Sequence, residues 1–203
     1  MKIFIIILLS IIPVLAEVGK ITYVKGDVSL VRDGKQSSAI VGMELKKKDS
    51  LSTKKNSLVK LIFADKSYIS IGSKSDFSIE DYFFDKTDAS LAKFKVNEGV
   101  FRAITGKIAK ISPDRFKLKT KTVTIGIRGT IFSGLLEDGK EEIFCEKGSI
   151  SVVNAKGFSV NVNKGFKTSI SKRGVPSKPK AYKASELEKI KLQTTGFKNK
   201  KCK

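Results

Sequence analysis

Short runs in which apolar and polar residues alternate dominate residues 20–170, the pattern of strands with one buried and one wet face. Residues 18–30 alternate with a break at Gly26 and Asp27, and Asp33 with Gly34 supplies a tight turn. Residues 58–71 read as two strands around residues 64–66. Residues 131–136 face residues 141–145 in a hairpin across Asp138 and Gly139. None of these runs has the length of a globular helix. Polar corners centred on Gly26, Gly99, Gly148 and Gly165 each stand between two strands, where glycine accepts the positive φ of a turn or bulge. Their irregular spacing excludes a solenoid of fixed period. The pattern predicts an all-β fold, a compact two-sheet β-sandwich with solenoid-like glycine corners, over residues 17–171.

After Ile170 the character changes. Residues 172–184, with Lys172, Arg173, Gly174, Pro176 and Pro179, read as a basic proline-containing linker. Ser185 with Glu188 three residues on predicts a capping box, and a short C-terminal helix runs from there to about Gln193, with Leu187 and Ile190 on one face. A polar, lysine-rich tail completes the segment 185–203.

At the other end, Lys2, an apolar run over residues 3–14 and small residues up to Ala16 read as a secretory signal peptide (1–16) cleaved after Ala16. That run is short of the about 20 apolar residues a spanning helix needs, so no stable membrane anchor is expected. The expected location is periplasmic or secreted.

Composition sharpens this picture. The chain has 203 residues and a formal net charge of +20. Residues 17–100 carry 15 basic and 12 acidic side chains, whereas residues 101–203 carry 24 and 8. Lysine dominates, which favours a diffuse field over planar, geometry-reading contacts. Cys145 and Cys202 make no disulfide framework, and a bridge between them is geometrically open without support from the pattern. With no histidine, the commonest metal ligand and the usual general base are both missing.

Catalysis therefore finds little footing. No serine–lysine pair stands in an orienting helical context. The acidic cluster Glu80, Asp81, Asp85 and Asp88 lacks calcium-loop spacing and is interrupted by Tyr82, Phe83 and Phe84, so it reads as a solvated loop. Neither an enzyme nor a cofactor or metal is expected. Three successive aromatics cannot all face inward from one strand, so Tyr82, Phe83 and Phe84 form either a partner-binding patch or a loop folded onto the core. Arg115, Lys117, Lys119 and Lys121 alternate with Phe116, Leu118 and Thr120, which predicts a row of cations over an apolar side. Such a row suits a polyanionic glycan, and nucleic acid is not an expected partner of an exported chain.

Residues 120–132, TKTVTIGIRGTIF, place one arginine between two glycines inside a β-branched run. A guanidinium is costly to desolvate unless paired, and glycine weakens a strand unless the backbone needs it. With Thr120, Gly126, Arg128, Gly129, Thr130 and Phe132 in this order, the stretch resembles the core motif of the FecR domain, a bacterial periplasmic module. The similarity extends over residues 19–170, through GKITYVKGDVSL (19–30), DSLSTKKNSLVKLIF (49–63), DKSYISI (65–71), NEGVF (97–101) and EKGSISV (146–152). The resemblance implies an architectural motif: Gly126 and Gly129 turn the chain, Arg128 caps carbonyls or pairs with a buried acid, and Thr130 bonds the corner backbone. Named family members relay a signal to a sigma factor through a cytoplasmic segment and a membrane helix, neither of which is expected here. The expectation is a non-catalytic exported module that binds another envelope protein, in sensing, regulation or surface-protein assembly. The alternative is envelope polyanion or glycan binding through the basic C-terminal half.

Overall fold

The computed structural model describes residues 17–196. The expected signal peptide and Cys202 lie outside them. The described residues form fifteen strands, beginning with β1 (Gly19–Lys25), β2 (Val28–Arg32), β3 (Lys35–Ser38), β4 (Glu44–Leu45), β5 (Ser50–Thr53), β6 (Leu58–Phe63), β7 (Tyr68–Ile71) and β8 (Asp76–Phe83). The long β9 (Leu91–Ile104) is followed by a single helical turn α1 (Ile108–Ile111), a 3₁₀ turn (Pro113–Arg115) and β10 (Phe116–Lys119). Then come β11 (Val123–Glu137), β12 (Lys140–Asn154), β13 (Ser159–Asn163), β14 (Phe166–Ile170), β15 (Lys180–Ala181) and helix α2 (Ala184–Thr195).

Three strands, β9, β11 and β12, are long because each bends and serves two layers. The N-terminal part of β9 pairs with β8 and, in parallel, with β10; its C-terminal part pairs with β7 and β11. The first half of β11 lies between β10 and the second half of β12, and its second half lies between β9 and the first half of β12. The first sheet therefore reads β3-β2-β5-β8-β9-β10-β11-β12-β13, and the second β4-β1-β6-β7-β9-β11-β12-β14-β15. The hydrogen-bond network is continuous through the bends, and the two layers form an all-β sandwich that is not closed. Gly26, Gly99, Gly148 and Gly165 all stand where the chain crosses from one layer to the other, each with positive φ.

Two of these corners show why glycine is required. At Gly99 (φ +92) a Cβ would lie 2.0 Å from Ser75 Oγ, the atom that accepts the Val100 N–H at 2.9 Å. At Gly148 (φ +77) it would lie 2.8 Å from the carbonyl oxygen of Gly129. Corners stack edge to edge, so a side chain at one strikes the backbone of the next.

Alternating residues of both sheets meet in one core. Phe63 of β6 in the second sheet packs at a tilt against Phe94 of β9 in the first, ring centroids 4.7 Å apart, and Phe94 also meets Phe77 and Phe116. Asp65, fully buried, organises one end of this core. Its carboxylate accepts from Ser67 N–H and Oγ, from the Tyr82 hydroxyl and from Ile108 N–H, and so fixes the entry to α1. Alternation alone concealed α1, because one turn held by a remote carboxylate leaves no helical period to read.

On the outside of the second sheet lies α2. Ile190 packs against Val100 and Phe144. The helix is capped two residues before the expected position: Glu186, rather than Glu188, accepts the backbone N–H of Lys183 at 2.8 Å, and Ser185 is not the cap. Residues 172–184 do not hang free. Pro176 bridges Ile170, Asn154 Nδ2 donates to Gly174 O at 3.0 Å, and β15 pairs with β14. No helix of the described residues is long and apolar enough to cross a membrane.

Candidate interaction surface on the first sheet

The arginine motif departs in part from the architectural corner expected of it. Arg128 is exposed on the outer face of β11, opposite Ser149 of β12, which is opposite Asn163 of β13. It makes no hydrogen bond or ion pair with any described residue. The expected carbonyl cap or buried acid is thus corrected: alternation along β11 sends Ile127 inward and Arg128 out. A shallow depression of about 330 Å³ opens beside it, lined by Asp114, Ser149, Ser151, Asn161 and Asn163.

The other motif residues divide between corner and core. Gly129 has φ +59 and makes the bend. Gly126 does not, contrary to expectation: it sits in straight strand between Lys117 and Ser151, and a Cβ there would meet its nearest neighbour at a relaxed 3.9 Å. Thr130 bonds through its backbone, its N–H donating to Thr105 Oγ1 at 2.9 Å while its carbonyl accepts from the Thr105 N–H and hydroxyl. The Thr130 hydroxyl itself has no protein partner among the described residues. Thr120 closes the β10–β11 turn, accepting Val123 N–H at 3.1 Å and donating to the buried Glu141 at 2.5 Å. Phe132 is fully buried, edge-on to Phe101.

The aromatic triplet also separates. Tyr82 is 4% exposed and belongs to the core against Phe63, with its hydroxyl bonded to Asp65. Burial first, then the neighbouring Asp65 carboxylate, raises the phenol far above its usual pKa. Phe84 is half-buried against the core. Phe83 alone is well exposed, at 49%, so no three-ring patch exists. A bulge between Ile79 and Asp81 resets the alternation and turns Tyr82 inward.

Nor do the nearby acids converge. Asp81 is held at 2.6 Å by Lys47, whose hydrogen bond lowers its pKa, while the Asp85 carboxylate, lowered by hydrogen bonds from Thr87 and Ser90, ties its own loop. No group of acidic or cysteine side chains suited to a metal ion occurs among the described residues.

Of the expected cationic row, Lys117 and Lys119 stand exposed on β10. Arg115 ends the 3₁₀ turn and donates to Asp88 O at 3.0 Å; Lys121 lies in the following turn, 3.9 Å from Glu98. Two lysines outside that row complete the surface. The parallel pairing of β9 and β10 sets Lys93 beside Lys117 and Lys95 beside Lys119. Their outward direction was legible in LAKFKV; the pairing was not, because parallel neighbours are joined by a long crossover rather than a hairpin.

The second sheet's outer face is occupied instead. Glu146 accepts from Arg102 Nε at 2.9 Å and Ser133 Oγ at 2.6 Å, with Lys191 of α2 at 3.6 Å. Burial pushes the Glu146 pKa up, but these partners outweigh it and hold it below the usual value. Lys167, 4% exposed, joins Glu142 to Glu186 of α2 at 2.7 and 2.6 Å, and these bonds outweigh its desolvation and raise its pKa. Cys145 is fully buried beneath this face, and burial pushes its thiol up to about 11.

The family model described as FecR protein matches residues 49–151, just over half of the chain, and the chain belongs to this family. In fold it is similar to two crystal structures of a proposed anti-sigma factor from Parabacteroides distasonis ATCC 8503, with TM-scores of 0.57 and 0.55 at 11% and 10% identity. In each case the alignment covers 68% of this chain and 62% of that protein, so the chain spans less than two thirds of its length. A comparison with curated proteins gave no match.

Proposed function

We propose that this chain is a non-catalytic, exported FecR-family module that docks another envelope protein on the outer face of its first sheet, in sensing, regulation or surface-protein assembly. Family membership supports a regulatory role, and the fold it shares with a proposed anti-sigma factor is consistent with signalling through protein contacts. One observation carries the choice of surface. Arg128, at the centre of the family-like motif, is solvent-exposed and has no hydrogen-bond or ion-pair partner among the described residues, beside a depression lined by serines, asparagines and Asp114. A planar fork of donors left open on a rigid sheet is suited to receive carboxylates or carbonyls from a partner, and arginine is enriched where interfaces concentrate their energy.

The test places a photo-crosslinking residue at Ser149 in the full chain, expressed in its native envelope. A discrete adduct that Arg128→Ala abolishes, with the melting temperature unchanged, is the expected result. An adduct indifferent to Arg128→Ala, or a large loss of melting temperature, overturns the assignment.

A further inference from the structure

The first sheet's outer face also carries a charge arrangement that the fold does not need. Lys93 lies beside Lys117 and Lys95 beside Lys119 on parallel strands. All four point away from the core, since the intervening Ala92, Phe94, Phe116 and Leu118 are fully buried. Strands lie about 4.8 Å apart and alternate residues along a strand about 6.6 Å apart. The four ammonium groups are therefore anchored on a compact two-by-two lattice. Like charges directly across a sheet destabilise it.

Local carboxylates do not neutralise the lattice. Asp81 lies 3.9 Å from Lys93, but its shorter bond, 2.6 Å, is to Lys47. Lys95, Lys117 and Lys119 have no ion-pair partner among the described residues. The other flanking positions are small or polar: Ser78 beside Lys95, Gly126 and Thr124 beside Lys117 and Lys119, and Ser151 beyond Gly126; Asp81, the residue across from Lys93, is the one acid among them. Protein interfaces are depleted in lysine and draw their energy from aromatic and arginine anchors in pockets. A flat, lysine-only lattice with no apolar anchor fits a different occupant, a linear polymer whose negative charges repeat at a few ångströms.

We propose that Lys93, Lys95, Lys117 and Lys119 form a binding site for a linear acidic polysaccharide, whose successive carboxylates lie over the lattice. Gly126 and Ser151 border both this site and the Arg128 depression, but none of the four lysines lines that depression, so either assignment can fail alone. The lysines act as point charges that tolerate sliding of the chain rather than reading its sequence, and the excess of basic side chains over residues 17–203 steers the polymer toward the protein.

The experiment measures binding of fluorescein-labelled polygalacturonate to the full mature chain by anisotropy across a salt series. Two quadruple variants remove the same charge. One carries Lys93→Ser, Lys95→Ser, Lys117→Ser and Lys119→Ser; the other carries Lys20→Ser, Lys172→Ser, Lys178→Ser and Lys189→Ser, all exposed and outside β9 and β10. The lattice variant is expected to bind about tenfold more weakly, with a shallower salt dependence, while the control stays close to wild type. Its melting temperature should hold or rise, since like charges are relieved. Equal weakening of both variants reduces the effect to the overall field and overturns the site. Absence of wild-type binding also overturns it. Tighter binding of poly-L-glutamate than of polygalacturonate reassigns the surface to an acidic protein segment.

Discussion

Arg128 stands in solvent and Tyr82 in the core. The arginine, set among β-branched neighbours, reads as capping carbonyls or pairing with a buried acid yet does neither, while the tyrosine, between an acid and two phenylalanines, leaves patch and core both open and closes the core. In both cases the face of one strand position decided the matter, and a single bulge or bend shifts that face. Arg128→Lys should accordingly leave stability within about 0.5 kcal/mol of wild type in urea denaturation, as surface changes do. Tyr82→Phe strips a donor from buried Asp65 and an acceptor from its backbone N–H, and should cost roughly 1–3 kcal/mol in the same assay. Phe83→Ser should stay within about 0.5 kcal/mol. Equal losses for Tyr82→Phe and Phe83→Ser would contradict this assignment of inside and outside.

Among the elements, strands and glycine corners were the most legible. Period-2 alternation marks a half-buried strand wherever it occurs, and Gly26, Gly99, Gly148 and Gly165 marked the crossings between layers because positive φ leaves few alternatives to glycine. What sequence could not provide was non-local: the parallel β9–β10 pairing, the turn α1 held by Asp65, and the docking of residues 172–184 along β14. Gly126 illustrates the limit, since it looks like its neighbour Gly129 in sequence but lies in straight strand. Gly126→Ala should be neutral or stabilise by up to about 1 kcal/mol, through the lower entropy of its unfolded chain. Gly148→Ala, strained in φ and 2.8 Å from a backbone oxygen, should destabilise by about 2 kcal/mol or more. Paired thermal melts of the two variants would check the contrast, and a harmless Gly148→Ala would mean that the corner can spread.

Taken whole, the molecule treats its two outer faces differently: the second sheet is covered by α2 through buried charges, while the first leaves its cations in solvent. That asymmetry gives the covered side an acid-sensitive component. Glu146, with only 7% of its side chain exposed, is held ionised by Arg102, Ser133 and Lys191, and its folded pKa lies below the ordinary value near 4.5. A carboxylate depressed on folding contributes stability that is fully present above its unfolded pKa and is lost as pH falls through the folded one. The helix cover should therefore weaken below about pH 4.5, with Glu186, also lowered by its bond to Lys167, acting in the same direction. Glu146→Gln should cost roughly 1–3 kcal/mol at pH 7, because Arg102 loses a charged, two-point acceptor. As pH falls through the lowered folded pKa the wild-type carboxylate takes up a proton, so the gap between wild type and variant should narrow toward acid pH. Denaturation of both proteins at pH 7, 5 and 3 measures that gap directly, and a gap that stays constant across the series would show that the Glu146 charge does not hold the helix in place.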